Sequence, residues 1–205
     1  MSNILTTHVG SLPRSKELSE FLFAKDKGEK FNQSSFDEVL KNNVESVVKR
    51  QIDVGIDFVS DGEMSKISYA TYIKDRIEGF SGESERRAPA DLDDFPEYKE
   101  KIAKSGGTPT YTRPCCTNEL KVKDETSLLK DINNFKNSLD KLNHRHAFLN
   151  SASPGVINVF IPNKFYSTED EYLDKLSNIM AKEYELITKS DIQSIFISST
   201  RINSI

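Results

Sequence analysis

The chain has 205 residues, which is enough for one domain with a sizeable core. Its net charge of −4 argues against a nucleic-acid partner, because nucleic-acid-binding domains usually carry a basic surface. Its apolar runs are far shorter than the roughly 20 residues that cross a bilayer, and its start lacks the basic and apolar regions of a signal peptide, so we expect no membrane partner.

The first third of the chain predicts a helix–strand unit. We expect a first strand over Ile4–Val9. The segment Ser35–Glu38 has the form of a capping box, and the apolar residues after it recur at helical spacing. Gly55 is placed to end that helix, and a buried strand, Ile56–Ser60, follows at once. A helix joined to a buried strand by one glycine favours a parallel sheet.

Residues 81–110 are crowded with charged side chains and cannot supply a core. We interpret them as a solvated surface insertion with one short helix near Tyr98–Ala103, and a lid over the site is the alternative. Strand-like residues return over Tyr111–Val122.

Helices and strands alternate in the rest of the chain. The pattern predicts a helix with apolar residues from Leu128 to Leu142, a strand over Ala147–Asn150, a small-residue loop over Ser151–Gly155, a helix that starts at Thr168 and a strand over Ile195–Ile197. Such alternation is typical of an α/β protein. Because a closed (β/α)₈ barrel typically needs about 250 residues, we expect a partial barrel or a smaller open sheet.

Small and acidic residues follow the first two predicted strands. Gly10 and Ser11 come after the first strand, and Asp61 and Glu63 come after the second. Because α/β folds place their sites at the carboxyl ends of parallel strands, we predict that these four residues converge on one edge of the sheet. Backbone N–H groups there could hold a carboxylate, while the acidic pair could bind an amine, a hydroxyl or a cation. Ordinary polar turns are the alternative interpretation of both segments.

The histidines and cysteines form no clear metal motif. His144 and His146 have no third ligand at zinc-like spacing, and a lone histidine on a strand, as His8 would be, is more often a packing residue. Neighbouring cysteines bridge only with strain, so we expect Cys115 and Cys116 to be free thiols in a reducing cytoplasm.

The opening segment Thr6–Arg14, read together with Ile56–Glu63, resembles the start of the cobalamin-independent methionine synthase family. The similarity extends in patches over nearly the whole chain and is to the short, single-barrel branch; the further patches are Lys49–Gly55, Tyr72–Phe80, Ala152–Gly155 and Glu183–Ile187. This resemblance implies a partial (β/α)₈ barrel of the methionine synthase and uroporphyrinogen decarboxylase superfamily. We expect a single domain over residues 1–205, incomplete at its carboxyl end and interrupted by the charged insertion.

The family moves a methyl group from methyl-tetrahydrofolate polyglutamate to homocysteine, whose thiolate is bound and activated by zinc. The resemblance therefore implies a methyltransferase of methionine biosynthesis. It implies that Val9, Gly10 and Ser11 hold the amino-acid part of homocysteine and that Glu63 binds its ammonium group. His8 and Asp61 would be supporting residues.

The carboxyl end departs from the family. Ser198 stands where a substrate-binding aspartate is expected, no proline follows, and the family's zinc ligands lie later than Ile205. We therefore expect a truncated barrel that binds no zinc and does not turn over by itself, with unpaired strand edges that favour self-association. The alternatives are a non-catalytic barrel remnant, a relative of the coenzyme M transferases, and a small α/β enzyme that uses Asp61 and Glu63 without metal.

Overall fold

The structure, a computed structural model, describes residues 4–84, 93–104 and 112–197. Its helices are α1 (Lys16–Asp26), α2 (Gln33–Asp53), α3 (Pro96–Lys104), α4 (Thr126–Leu139), α5 (Pro154–Phe160) and α6 (Glu169–Lys189). Its strands are β1 (Phe58–Ser60), β2 (Ile77–Ser81), β3 (Cys115–Val122), β4 (His146–Ala152) and β5 (Gln193–Ile197), and a 3₁₀ turn covers Tyr72–Asp75. Within these ranges, no helix has the length and apolarity needed to span a membrane.

Three strands form a parallel sheet in the order β1–β4–β5. In its register, Ser60 lies opposite Phe148 and Asn150 lies opposite Ile195. Each strand is preceded in the chain by a long helix, α2, α4 or α6 respectively, so the predicted α/β class is confirmed. The strands run in the same direction, and their carboxyl ends therefore share one edge.

The predicted first strand, Ile4–Val9, does not form as a regular strand. Only Thr7 makes a parallel bridge, to Phe58, and the carbonyl oxygen of Thr6 accepts from the Phe58 N–H at 3.0 Å. Ile4 is 92% exposed, so the segment lacks the burial that would extend its pairing at this outer edge of the sheet. It still runs parallel to β1 and leads Gly10 towards the end of that strand.

The first two helices depart from the prediction. Helix α1 was not predicted, because its buried residues, Leu18 and Leu22, are scattered among polar ones. Helix α2 begins before the proposed capping box, because the side chain of Asn32 is the N-cap and accepts from the Ser35 N–H at 3.0 Å. Gly55 follows the end of α2 with a φ of +83°, as its position in the sequence predicted.

Strands β2 and β3 form a separate antiparallel pair. The predicted strand over Tyr111–Val122 is present as β3, but it does not join the parallel sheet, and its partner β2 was not predicted. The pair is the base of the charged excursion. Helix α3 confirms the short helix expected there, whereas residues 85–92 and 105–111 of the predicted insertion, and the lid alternative with them, lie outside the described residues.

The last third follows the predicted order with one exception. Strand β4 extends to Ala152 and α5 begins at Pro154, so the segment Ser151–Gly155 that we predicted as a loop is divided between them. Ser153 is its N-cap, accepting from the Val156 N–H at 3.2 Å, and Pro154 occupies the first turn, where its missing N–H costs nothing. Helix α4 ends at Leu139, three residues before the predicted Leu142.

The apolar core consists of two clusters. The first packs α1, α2 and α4 against β1 and contains the fully buried Leu18, Val48 and Phe135. The second packs β2 and β3 against α5 and α6. Strand β4 joins them, because Leu149 belongs to the first cluster and Ala152 to the second.

Candidate functional site

Two loops meet at the carboxyl edge of the parallel sheet. The Ser11 hydroxyl donates to Oε2 of Glu63 at 2.5 Å, and the Leu12 N–H donates to the Gly62 carbonyl at 3.0 Å. The Arg14 guanidinium donates to the backbone carbonyls of Glu63 at 2.8 Å and Lys66 at 2.7 Å. The structure therefore brings Ser11 and Glu63 together, as their shared position after two strands predicted.

The turn that carries Glu63 is built around Gly62. The Asp61 carboxylate accepts from the Glu63 N–H at 3.0 Å, and the backbone φ angles are +63° at Gly62 and +57° at Glu63. A Cβ atom on Gly62 would lie 3.0 Å from the Cβ atom of Leu12, so this position needs glycine for its conformation and for the contact between the loops. A left-handed glutamate is strained, and such strain clusters at functional sites.

Glu63 is buried and held by neutral donors. Its exposed fraction is 0%, Oε2 accepts from Ser11, and Oε1 accepts from Nδ2 of Asn150 at 2.9 Å. Among the described residues, no lysine or arginine forms an ion pair with this carboxylate. Arg14, which donates to the Glu63 backbone carbonyl, interacts with this carboxylate through its charge but forms no ion pair with it. A carboxylate held by two neutral donors can accept further hydrogen bonds, so the arrangement can favour a cationic group.

Asn150 and Lys66 complete this cluster, and the sequence analysis missed both. Asn150 is 1% exposed, and the buried Lys66 ammonium donates to its backbone carbonyl. That ammonium also lies 4.6 Å from the centroid of the Tyr72 ring. A polar residue that ends the apolar run Ala147–Leu149 of a predicted buried strand was the available signal for Asn150.

The other predicted site residues have different surroundings. Asp61 is 3% exposed, and its burial raises the pKa of its carboxyl, an effect that the charge of Lys66 only partly opposes. Val9 is 51% exposed, His8 is exposed, and Gly10 has a φ of +100° in the loop before Ser11. Among the described residues, no hydrogen bond joins His8 to Glu63.

A second polar cluster surrounds Glu183 on the other side of β4. Its Oε1 accepts from the hydroxyls of Tyr72 and Ser151, each at 2.5 Å, and its Oε2 accepts from Arg76 at 2.8 Å. Arg76 also pairs with Asp131 at 2.6 Å. Burial by itself raises the pKa of Glu183, but the charges of Arg76 and Lys66 and the two hydroxyl hydrogen bonds together outweigh it and lower this pKa below its usual range.

The described cysteines and histidines do not fit a zinc site. Within residues 4–84, 93–104 and 112–197, no group of three histidine, cysteine or acidic side chains is placed to hold a metal ion. Cys115 and Cys116 are buried free thiols, and burial raises the pKa of Cys116 to about 11, which keeps it protonated near neutral pH. His146 stacks on Phe58 at the amino end of the parallel strands, the edge opposite Glu63. We therefore derive no step through zinc.

A parallel sheet that alternates with helices and carries a buried carboxylate at its strand ends is typical of an α/β protein with its site at that edge. The model of the cobalamin-independent synthase catalytic domain matches residues 4–105. A methionine synthase from Sulfolobus acidocaldarius is 25% identical over 199 residues, which are 97% of this chain and 52% of the relative. A 5-methyltetrahydropteroyltriglutamate–homocysteine methyltransferase from Bifidobacterium adolescentis is 31% identical over 75 residues, which are 37% of this chain and 10% of the relative.

Solved structures of the same kind share the fold. A B12-independent methionine synthase from Shewanella sp. W3-18-1, solved with selenomethionine, superposes with a TM-score of 0.66 at 15% identity over 93% of this chain and 50% of that one. A putative B12-independent methionine synthase from Listeria monocytogenes gives 0.60 at 12% identity, over 94% and 52%.

The predicted resemblance to the cobalamin-independent methionine synthase family is thereby confirmed. Nearly the whole of this chain matches the Sulfolobus methionine synthase and the two solved structures, but it spans only about half of their length. The predicted fold class, a partial barrel, is also confirmed.

Proposed function

We propose that this chain provides the homocysteine-binding half of a methyltransferase catalytic domain that makes methionine. The observation that carries the proposal is the buried Glu63 carboxylate, which receives neutral donors at the strand ends and forms no ion pair among the described residues. The ammonium group of an amino acid would supply a directly paired positive charge.

The loop before Ser11 supports binding of the carboxylate group of the amino acid. Gly10 leaves its backbone uncovered by a side chain, so the N–H groups around Val9, Gly10 and Ser11 can approach the carboxylate of an amino acid. The Ser11 hydroxyl lies on Glu63 and is exposed, so a ligand reaching Glu63 would meet Ser11 first. Homocysteine is named as a substrate of the Bifidobacterium relative, as is the methyl donor methyltetrahydropteroyltriglutamate.

The proposal also covers zinc binding, catalytic turnover and self-association of the chain. Because the described thiols and histidines do not fit zinc, the proposed role of this chain is to bind and orient the amino acid. We propose that it acts in the cytoplasm as one barrel domain over residues 1–205, with the charged insertion at about 81–110, and that its open sheet edges favour self-association. Metal analysis of the purified chain tests whether it binds zinc. Tightly held, stoichiometric zinc would contradict the proposal that its role is only to bind and orient the amino acid.

Calorimetric titration with L-homocysteine tests the proposed function. Wild-type protein should bind it, and Glu63→Gln should weaken binding by about 1–3 kcal/mol because a charge-assisted contact is lost. Glu38→Gln, which changes an exposed carboxylate on α2, is the matched control and should bind like wild type. Equal affinities of the Glu63 and Glu38 variants would exclude this role of Glu63.

A further inference from the structure

We propose that Asn150 is a second acceptor for the ammonium group of the ligand, beside Glu63, and that it makes the site select amino acids over acids that lack the amino group. This inference rests on the proposed function. It concerns a residue on β4 that the sequence motifs did not identify.

The orientation of the Asn150 amide is set by Glu63. A carboxylate can only accept hydrogen bonds, so the group 2.9 Å from Oε1 must be the donating Nδ2. The backbone of Asn150 is held by its pairing with Ile195 of β5 and by Lys66, which donates to its carbonyl oxygen. The amide therefore cannot turn without losing its bond to Glu63, and the position of Oδ1 is fixed.

The Oδ1 atom of Asn150 is buried and has no hydrogen-bond partner, although the residue is only 1% exposed. Buried polar atoms are almost always paired in native proteins, so an unpaired acceptor indicates a missing donor. Covalent geometry keeps Oδ1 beside Nδ2 and therefore close to the Glu63 carboxylate.

A donor placed between Oδ1 and a carboxylate is favoured if it carries positive charge. A primary ammonium has three N–H donors, so it can donate to Glu63 and to Asn150 together. A neutral hydroxyl or thiol could satisfy Oδ1 but would leave the Glu63 carboxylate without a directly paired charge. The pair therefore fits an ammonium group better than the other groups of an amino acid.

The test compares L-homocysteine with 4-mercaptobutanoic acid, which is the same molecule without its amino group. Calorimetry should show that wild-type protein prefers homocysteine. Asn150→Leu should reduce that preference about tenfold or more and leave the affinity for 4-mercaptobutanoic acid nearly unchanged. Ser11→Ala is the matched comparison, because it removes the other neutral donor to Glu63 and keeps Oδ1; it should reduce the preference less.

Circular dichroism of each variant controls for folding, and Asn150→Ser, which is smaller and polar, replaces Asn150→Leu if that variant unfolds. An unchanged preference in the folded Asn150 variant overturns the role of Asn150 and leaves the proposed function standing. An equal loss of affinity for both ligands also overturns it, since the residue would then be structural. If wild-type protein binds neither ligand, the proposed function falls and this role falls with it.

Discussion

Asn150 and Ser151 are neighbours on β4, but their side chains hydrogen-bond to two different buried glutamates. Asn150 donates to Glu63 on one side of the strand, and Ser151 donates to Glu183 on the other, as the alternation of side chains along a strand requires. Glu183 also receives a cation, Arg76, at 2.8 Å. Glu63 receives only neutral donors within the described residues.

The difference separates a carboxylate that is ion-paired within the chain from one that is held only by neutral donors. The charge of Glu183 is balanced inside the chain by Arg76, which pairs with Oε2 and also binds Asp131. Two hydroxyl groups donate to its other oxygen, Oε1. The Glu63 carboxylate accepts from two neutral donors, and Arg14 interacts with its charge without forming an ion pair. Buried charges are retained when they are paired or when they serve binding; Glu183 represents the first case, and we propose that Glu63 represents the second.

The largest expected effect is on the Glu183 side. Arg76→Met should reduce the free energy of unfolding by about 3–5 kcal/mol, because it leaves Glu183 and Asp131 buried without their cation. Urea denaturation measures the change. Lys49→Met, which breaks an exposed pair with Asp53, is the control and should cost no more than about 0.5 kcal/mol. Similar losses of stability in the two variants would contradict the structural role of the Arg76–Glu183 pair.

Acid should also act through Glu183. Its pKa is lower in the folded chain than the ordinary glutamate value of about 4.3, so its ionised form stabilises the fold above that pH. This contribution is lost as the pH falls below about 4 and through the folded pKa. Urea denaturation at several pH values should therefore show a smaller loss of stability in acid for Glu183→Gln than for wild type. Glu38→Gln, on an exposed side chain, should behave like wild type.

A smaller loss is expected on the Glu63 side from Gly62→Ala. The new Cβ would meet Leu12 at 3.0 Å in a left-handed conformation, which should cost about 1–2 kcal/mol of stability and separate the two loops. Thermal unfolding measures the stability, and titration with homocysteine should show weaker binding. Gly28→Ala also has a positive φ but no atom within 4 Å of its Cβ, so it should lose stability without losing binding. Homocysteine affinity retained in Gly62→Ala would show that contact between the loops does not matter.

The smallest effect, and the one of opposite sign, is expected from Asp61→Asn. Burial raises the pKa of Asp61, so the folded chain holds a proton more tightly than the unfolded chain, and this group lowers stability as the pH rises above about 3.9. The amide oxygen of Asn can still accept from the Glu63 N–H. The variant should therefore be more stable than wild type at pH 7 and no more stable at pH 3. Lower stability at pH 7 would contradict the pKa direction.

The sequence by itself determined the parts of this protein that depend on local pattern. Helical spacing of apolar residues, with a glycine after it, is a property of neighbours in the chain, and it correctly predicted α2, Gly55 and the strand that follows. Placement after a strand likewise predicted that Ser11 and Glu63 meet, and the opening motifs predicted the family. Helix α1 and strand β2 were not predicted, because their apolar residues form little local pattern.

Only the tertiary structure decided which polar groups share a buried environment. Asn150 lies 87 residues from Glu63, and Arg76 lies 107 residues from Glu183, so no local spacing relates either pair. It also decided that Ile4–Val9 makes a single bridge, because exposure at the sheet edge removes the burial that would extend the strand. The packing of the core fixes which distant residues are neighbours, and it places an arginine on Glu183 and only neutral hydrogen-bond donors on the Glu63 carboxylate.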